Sequence, residues 1–105
     1  MLGVLEQQVM LAVMGLRPNA YGVSIGAHIK ERAGHEPSLG SIYATLDRLQ
    51  EKGFVKSRQG EPTAERGGRR KLYFEITALG EVALRQSLEA IASLRRGVRW
   101  SEAMA

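Results

Sequence analysis

A chain of 105 residues, 44% of them hydrophobic and with a formal charge of +4, supports one compact domain, with a tail expected beside it. No apolar run approaches the roughly 20 residues that span a bilayer, and Met1 to Leu16 lacks the basic start and small-residue cleavage site of a secretory signal. The absence of cysteine excludes disulfides, thiolate nucleophiles and thiolate metal sites, so the expectation is a soluble, cytoplasmic protein.

The charge is unevenly placed. Between Lys56 and Lys71 stand six basic residues (Lys56, Arg58, Arg66, Arg69, Arg70 and Lys71) against the acids Glu61 and Glu65, so this segment holds the whole excess. The rest of the chain balances nine bases with nine acids. A surplus confined to one segment fits an arm that contacts phosphates.

In chain order, Val4 to Leu16 reads as a helix too apolar from Val9 onward to show a whole face to water. One side is expected in the domain's own core and another against a second subunit. A loop through Pro18 and Asn19 leads to a second helix from about Val23 to Ala33, with Ile25 and Ile29 inward. Gly22 and Gly26 are spaced to let another helix approach closely.

The stretch Ser38 to Gly53 reads as a third helix. Ser38 is a natural N-cap and Gly53 a natural stop. Leu39, Ile42, Leu46 and Leu49 recur at helical spacing, while Gly40, Ser41, Ala44, Asp47, Arg48 and Glu51 lie opposite. The outer face is sparsely furnished, and small residues at its start allow close approach, with Tyr43, Thr45 and Arg48 able to reach a partner.

After Gly53 the pattern becomes extended. Phe54 to Gln59 reads as a strand, Gly60 to Gly68 as a polar loop and Arg69 to Ile76 as a second strand, which together make a hairpin with a cationic tip. Tyr73 and Phe74 alternate, so one of them belongs to the core. Thr77 is placed to cap a last helix. Its stripe of Leu84, Leu88, Ile91, Leu94 and Val98 follows a spacing near 3.5 residues and finds no partner in so short a chain. A homodimer interface built from Leu5 and Val9 of the first helix and this stripe is the economical reading.

Three helices, a basic hairpin and a further helix is the order of a winged helix-turn-helix, a mainly α (α+β) fold. The third helix of that fold enters the major groove, and the wing reaches neighbouring phosphates. Residues 1–77 are expected to form the DNA-binding part, 78–98 a dimerisation helix within the same compact unit, and 99–105 a tail.

Several short motifs also resemble the PadR-type transcriptional regulators. These are Tyr21-Gly22, then Gly40-Ser41-Ile42-Tyr43 with Leu46, Arg48-Leu49 and Gly53, then Gly67-Gly68-Arg69-Arg70-Lys71, and finally Tyr73, Ile76-Thr77 and Gly80. The ordered set covers nearly the whole chain through the last helix. The resemblance implies a bacterial, dimeric DNA-binding regulator, commonly a repressor, of the small class with a single C-terminal helix. Arg70 stands where many relatives carry proline, and the Gly60 to Arg66 loop is longer than usual.

By the same resemblance Ser38, Ser41, Tyr43 and Arg48 match the DNA-facing helix, and Arg69, Arg70 and Lys71 match the wing, with Arg66 beside them. Physically, Ser41, Tyr43 and Arg48 suit phosphates, whereas Ser41, Ala44 and Thr45 suit base edges. Some relatives bind flat aromatic compounds between subunits, which would place an effector near Leu88, Ile91 and Trp100. Interface packing or a loose tail remains the stronger reading of Trp100. The rival to DNA binding is a winged-helix module that binds protein through the same helix. His28 and His35 form no metal-ligand pattern and no cofactor is called for. Ser41, His35 and Asp47 lack the pocket and oxyanion hole of a catalytic triad, so an enzyme is rejected.

Overall fold

The structure, a computed structural model, describes residues 2–62 and 70–101. Its elements run α1 (Val4–Gly15), α2 (Gly22–Ala33), α3 (Leu39–Glu51), β1 (Val55–Pro62), β2 (Arg70–Ile76) and α4 (Ala78–Arg96). The fold is the expected four helices with a two-stranded antiparallel wing.

Local chemistry sets most of the boundaries. Glu6 reaches back to accept from the Gly3 amide at the start of α1, and Ser24 accepts from the Tyr21 amide at the start of α2, each satisfying a donor left over at a helix end. Ser38 caps α3 by accepting from the Ser41 amide. Gly53, at φ +77°, turns the chain out of α3, a conformation that suits glycine because it has no Cβ. Thr77 does two jobs at once. Its hydroxyl accepts from the Gly80 amide to cap α4 and donates to the Gly53 carbonyl, so α4 starts pinned to the turn that ends α3.

Met10 and Val13 of α1, Ile25 and Ile29 of α2, and Ile42, Leu46 and Leu49 of α3 make the centre of the core. Val55, Phe74 and Leu84 close it from the wing and from α4. Of the two alternating aromatics, Phe74 is the buried one. In the wing, Val55 pairs with Ile76, Ser57 with Phe74 and Gln59 with Leu72, and the register shifts before Pro62 pairs with Arg70. β1 thus runs on through Gly60 and Glu61, which sequence patterning assigns to the loop. The Phe74 amide also donates to the Ala20 carbonyl, so the segment before α2 borders the outer edge of β2.

Two expectations for the dimer surface are corrected here. Val9 is fully buried and Leu84 is 2% exposed, both inside a single protomer. A helix of such apolar character needs no second subunit to cover Val9, because Val9 belongs to the protomer's own core, and α1 packs against α2, α3, β2 and α4. Leu5 and Leu88 are half-buried against the core. Beyond Leu88, α4 leaves the domain, and Ile91, Leu94, Val98 and Trp100 are exposed, Leu94 to 72%. The projecting helix accounts for a molecule 54 Å long and 20 Å thick.

Candidate nucleic-acid interface

The amphipathic pattern of α3 orients it. With Ile42, Leu46 and Leu49 inward, Ser38, Gly40, Ser41, Tyr43, Ala44, Asp47 and Arg48 all lie on the exposed side. Ser38 Oγ and Ser41 Oγ are 2.8 Å apart, so the two hydroxyls form one polar spot at the helix start.

Thr45 overturns its expected role. It is 0% exposed, and its Oγ1 accepts from Arg48 Nη2 at 3.2 Å. A side chain with no accessible surface touches no base, so Thr45 is a core residue whose hydroxyl is satisfied by Arg48. Arg48 is exposed but partly engaged, since one of its five donors is spent on that bond.

The far end of α3 is anchored electrostatically. Lys52, the residue that closes the helix, donates to Glu6 Oε2 at 2.8 Å and so ties α3 to the start of α1. Burial pushes the Glu6 carboxyl up. The Lys52 hydrogen bond, the Gly3 amide and the nearby charges of Lys52 and Arg48 outweigh that effect and hold it below its ordinary value.

The wing is held by an aromatic clasp that the sequence does not reveal. Tyr21 and Tyr73 meet edge to face with ring centroids 5.7 Å apart. Lys71 Nζ sits 4.4 Å above the Tyr21 ring and the Arg58 guanidinium 4.9 Å above the Tyr73 ring. Arg58 also donates to the Pro18 carbonyl and lies 3.7 Å from Glu75. Arg58 counted toward the wing's charge, but its register opposite Tyr73 emerges only once the strands are paired. Arg58 and Lys71 of the hairpin stem are therefore positioned by rings rather than left free.

The wing and α3 meet at the start of α2. Tyr21 carries Lys71 on its face, and the next residue, Gly22, lies against the Tyr43 ring. Lys71 and Tyr43 thus contact two successive residues of the chain. Of the remaining wing candidates, Arg66 and Arg69 lie outside the described residues, and Arg70 takes its place in the β2 backbone. His35 Nε2 is 2.8 Å from Gln8 Oε1, joining the turn before α3 to α1. Among the described residues no three metal-ligating side chains gather, and no helix is long and apolar enough to cross a membrane.

Trp100 is 59% exposed. With Leu88, Ile91, Ala92, Arg95 and Arg96 it outlines a shallow concavity of about 470 Å³. The expected effector residues are therefore neighbours, on a surface that a single protomer leaves open.

Helix order, wing and exposed third helix define a winged helix-turn-helix of the regulator type. The family model of the PadR-like transcriptional regulators matches residues 10–86. The chain belongs to that family. A PadR family transcription regulator from Clostridium difficile R20291 shares the fold at a TM-score of 0.74 and 20% identity, over 90% of this chain and 93% of that one. A PadR family regulator from Eggerthella lenta superposes at a TM-score of 0.67 with 26% identity, over 90% of this chain and 83% of that one. Bacillus subtilis PadR, solved in complex with operator DNA, matches at a TM-score of 0.64 and 25% identity, over 82% of this chain and 48% of its own. No curated protein sequence matches the chain.

Proposed function

We propose that this protein is a homodimeric, sequence-specific DNA-binding repressor. One observation carries the reading. The outer face of α3 is lined by small and hydroxyl-bearing residues, and its Tyr43 packs on Gly22, next to the Tyr21 ring that holds Lys71 of the wing. A backbone that can come close to base edges, flanked by phosphate-seeking charge, is what major-groove entry requires. That Bacillus subtilis PadR is bound to operator DNA supports the same assignment.

In this reading Ser41 and Ala44 face bases. Ser38, Tyr43 and Arg48 face phosphates, and Arg66, Arg69, Arg70 and Lys71 supply the wing's charge. Residues 1–77 form the DNA-binding part. The α4 helix pairs two protomers through Ile91, Leu94 and Val98, with Leu5 and Leu88 at the margin. Two copies of α3 then read a pseudo-palindromic operator whose half-sites lie about one helical turn, roughly 10 base pairs, apart or a multiple of that. A flat aromatic effector would lie between the two Trp100 surfaces and release the operator by altering the pairing.

The test is the salt dependence of binding to duplexes selected from random sequence, measured by fluorescence anisotropy. Changing Arg69, Arg70 and Lys71 together to alanine removes three cations from each of the dimer's two wings, so it should weaken binding to every duplex and flatten the log–log salt slope by about 5.4, from about 0.9 per phosphate contact. An unchanged slope removes the wing from the interface. Failure of the wild-type protein to retain any duplex at low salt would favour a protein-binding role for α3.

A further inference from the structure

We infer that Gly22 is a positioning residue for Tyr43, and that it sets where the Tyr43 hydroxyl meets DNA without touching DNA itself; this rests on the DNA-binding reading above. A Cβ built on Gly22 would lie 2.5 Å from Tyr43 Oη, 2.6 Å from Cζ and 3.0 Å from Cε2. Outside its own helix and chain neighbours those are its three closest atoms, and all belong to the Tyr43 side chain. The space that glycine leaves at the start of α2 is therefore filled by the end of the Tyr43 side chain. Gly22 is buried, whereas Tyr43 remains 40% exposed. The hydroxyl end of the side chain rests on the α2 backbone at Gly22, the residue after Tyr21, whose ring carries Lys71 of the wing.

The consequence of adding a methyl group follows from which atoms must yield. A tyrosine ring at the surface can swing to another rotamer, so the fold has an easy escape. Alanine is also the better helix former, which favours α2. The cost of Gly22→Ala therefore falls on the position of the ring and leaves the packing of the domain intact. A hydroxyl donating to a phosphate does so over a narrow range of distance and angle, and a displaced ring loses that bond. Tyr43 gains its fixed position from a residue 21 positions earlier in the chain.

A double-mutant cycle tests this with Gly22→Ala, Tyr43→Ala, Tyr43→Phe and the Gly22→Ala/Tyr43→Ala pair, each titrated against the duplex selected by the wild-type protein. Gly22→Ala should weaken binding about three- to tenfold per protomer, so about ten- to a hundredfold for the dimer, matching Tyr43→Ala, because both lose one hydroxyl contact in each protomer. Tyr43→Phe should lose a similar amount. The pair should bind as Tyr43→Ala alone, since without the ring the extra methyl group meets nothing. The salt slope should be unaltered throughout, because a hydroxyl releases no counterion. Wild-type affinity in Gly22→Ala, or a further loss in the pair, overturns the inference while leaving DNA binding in place. If Gly22→Ala alone does not fold, the pair still decides the matter, because the space its methyl group needs is then vacant. Absence of binding by the wild-type protein instead refutes the DNA-binding reading.

Discussion

Replacing Glu6 with glutamine tests whether a half-buried ion pair holds the proposed recognition helix to the rest of the domain. Glu6 is 8% exposed and accepts from Lys52 Nζ at 2.8 Å and from the Gly3 amide at 2.9 Å. Glutamine keeps the shape and an acceptor for Gly3, so what it loses is the charge-assisted bond to Lys52. The Lys52 side chain is 43% exposed and returns to water, which puts the loss at the low end for such bonds, about 1.5 kcal/mol. For a domain of this size that corresponds to a fall in Tm of about 6–12 °C at fixed protein concentration. Glu6→Ala also gives up the acceptor at the helix start and should lose about 2.5 kcal/mol. The pH dependence has a definite sign. The carboxyl titrates lower in the folded protein than its ordinary 4.5, so its contribution is complete above that value and vanishes as pH falls through the folded value. Urea unfolding at a series of pH values should show the gap between wild type and Glu6→Gln closing on acidification below about 4.5. A gap that is absent at neutral pH, or that stays constant into acid, would refute the clamp.

Thr45→Val should lower stability by about 1 kcal/mol through loss of the Arg48 bond. It should leave duplex preference unchanged in competition binding, whereas Ser41→Ala should alter that preference; a shift in preference with Thr45→Val would return Thr45 to the interface. Paired changes of Ile91 and Leu94 to aspartate should convert a dimer into a monomer by sedimentation at micromolar concentration. Each such side chain contributes about 1.5–3 kcal/mol when buried, and twofold symmetry counts it twice. A wild-type protein that sediments as a monomer would remove the dimer from the proposal.

Much of this molecule was legible because its signals are local. Ser38, Gly53 and Thr77 mark helix ends through bonds that span a turn or less, and the apolar period of Ile42, Leu46 and Leu49 names the inward face without reference to any neighbour. The concentration of charge between Lys56 and Lys71 likewise needs only the chain itself. Thr45 shows where such reasoning fails. Its position, three residues after Ile42 and four before Leu49, lies within the buried stripe, but its hydroxyl argued for the surface. Arg48, one turn on, supplies the partner that makes burying that hydroxyl tolerable.

The remaining errors and omissions concern pairs distant in sequence. Periodicity marks Val9 and Leu84 as apolar but cannot say which surface covers them, and a core shared by α1 and α4 covers both without a second protomer. Lys52 reaches Glu6 across 46 positions, and the Tyr21–Tyr73 clasp joins the start of α2 to a strand. Composition, caps and hydrophobic period thus determined by themselves the elements and their order, while the family rested on the resemblance of short ordered motifs such as Gly40-Ser41-Ile42-Tyr43. Which side chains remain free to meet a partner, and where Tyr43, Lys71 and Arg58 are held, was decided by tertiary structure. Exposure and orientation are set by what packs against a residue, and that depends on segments far along the chain.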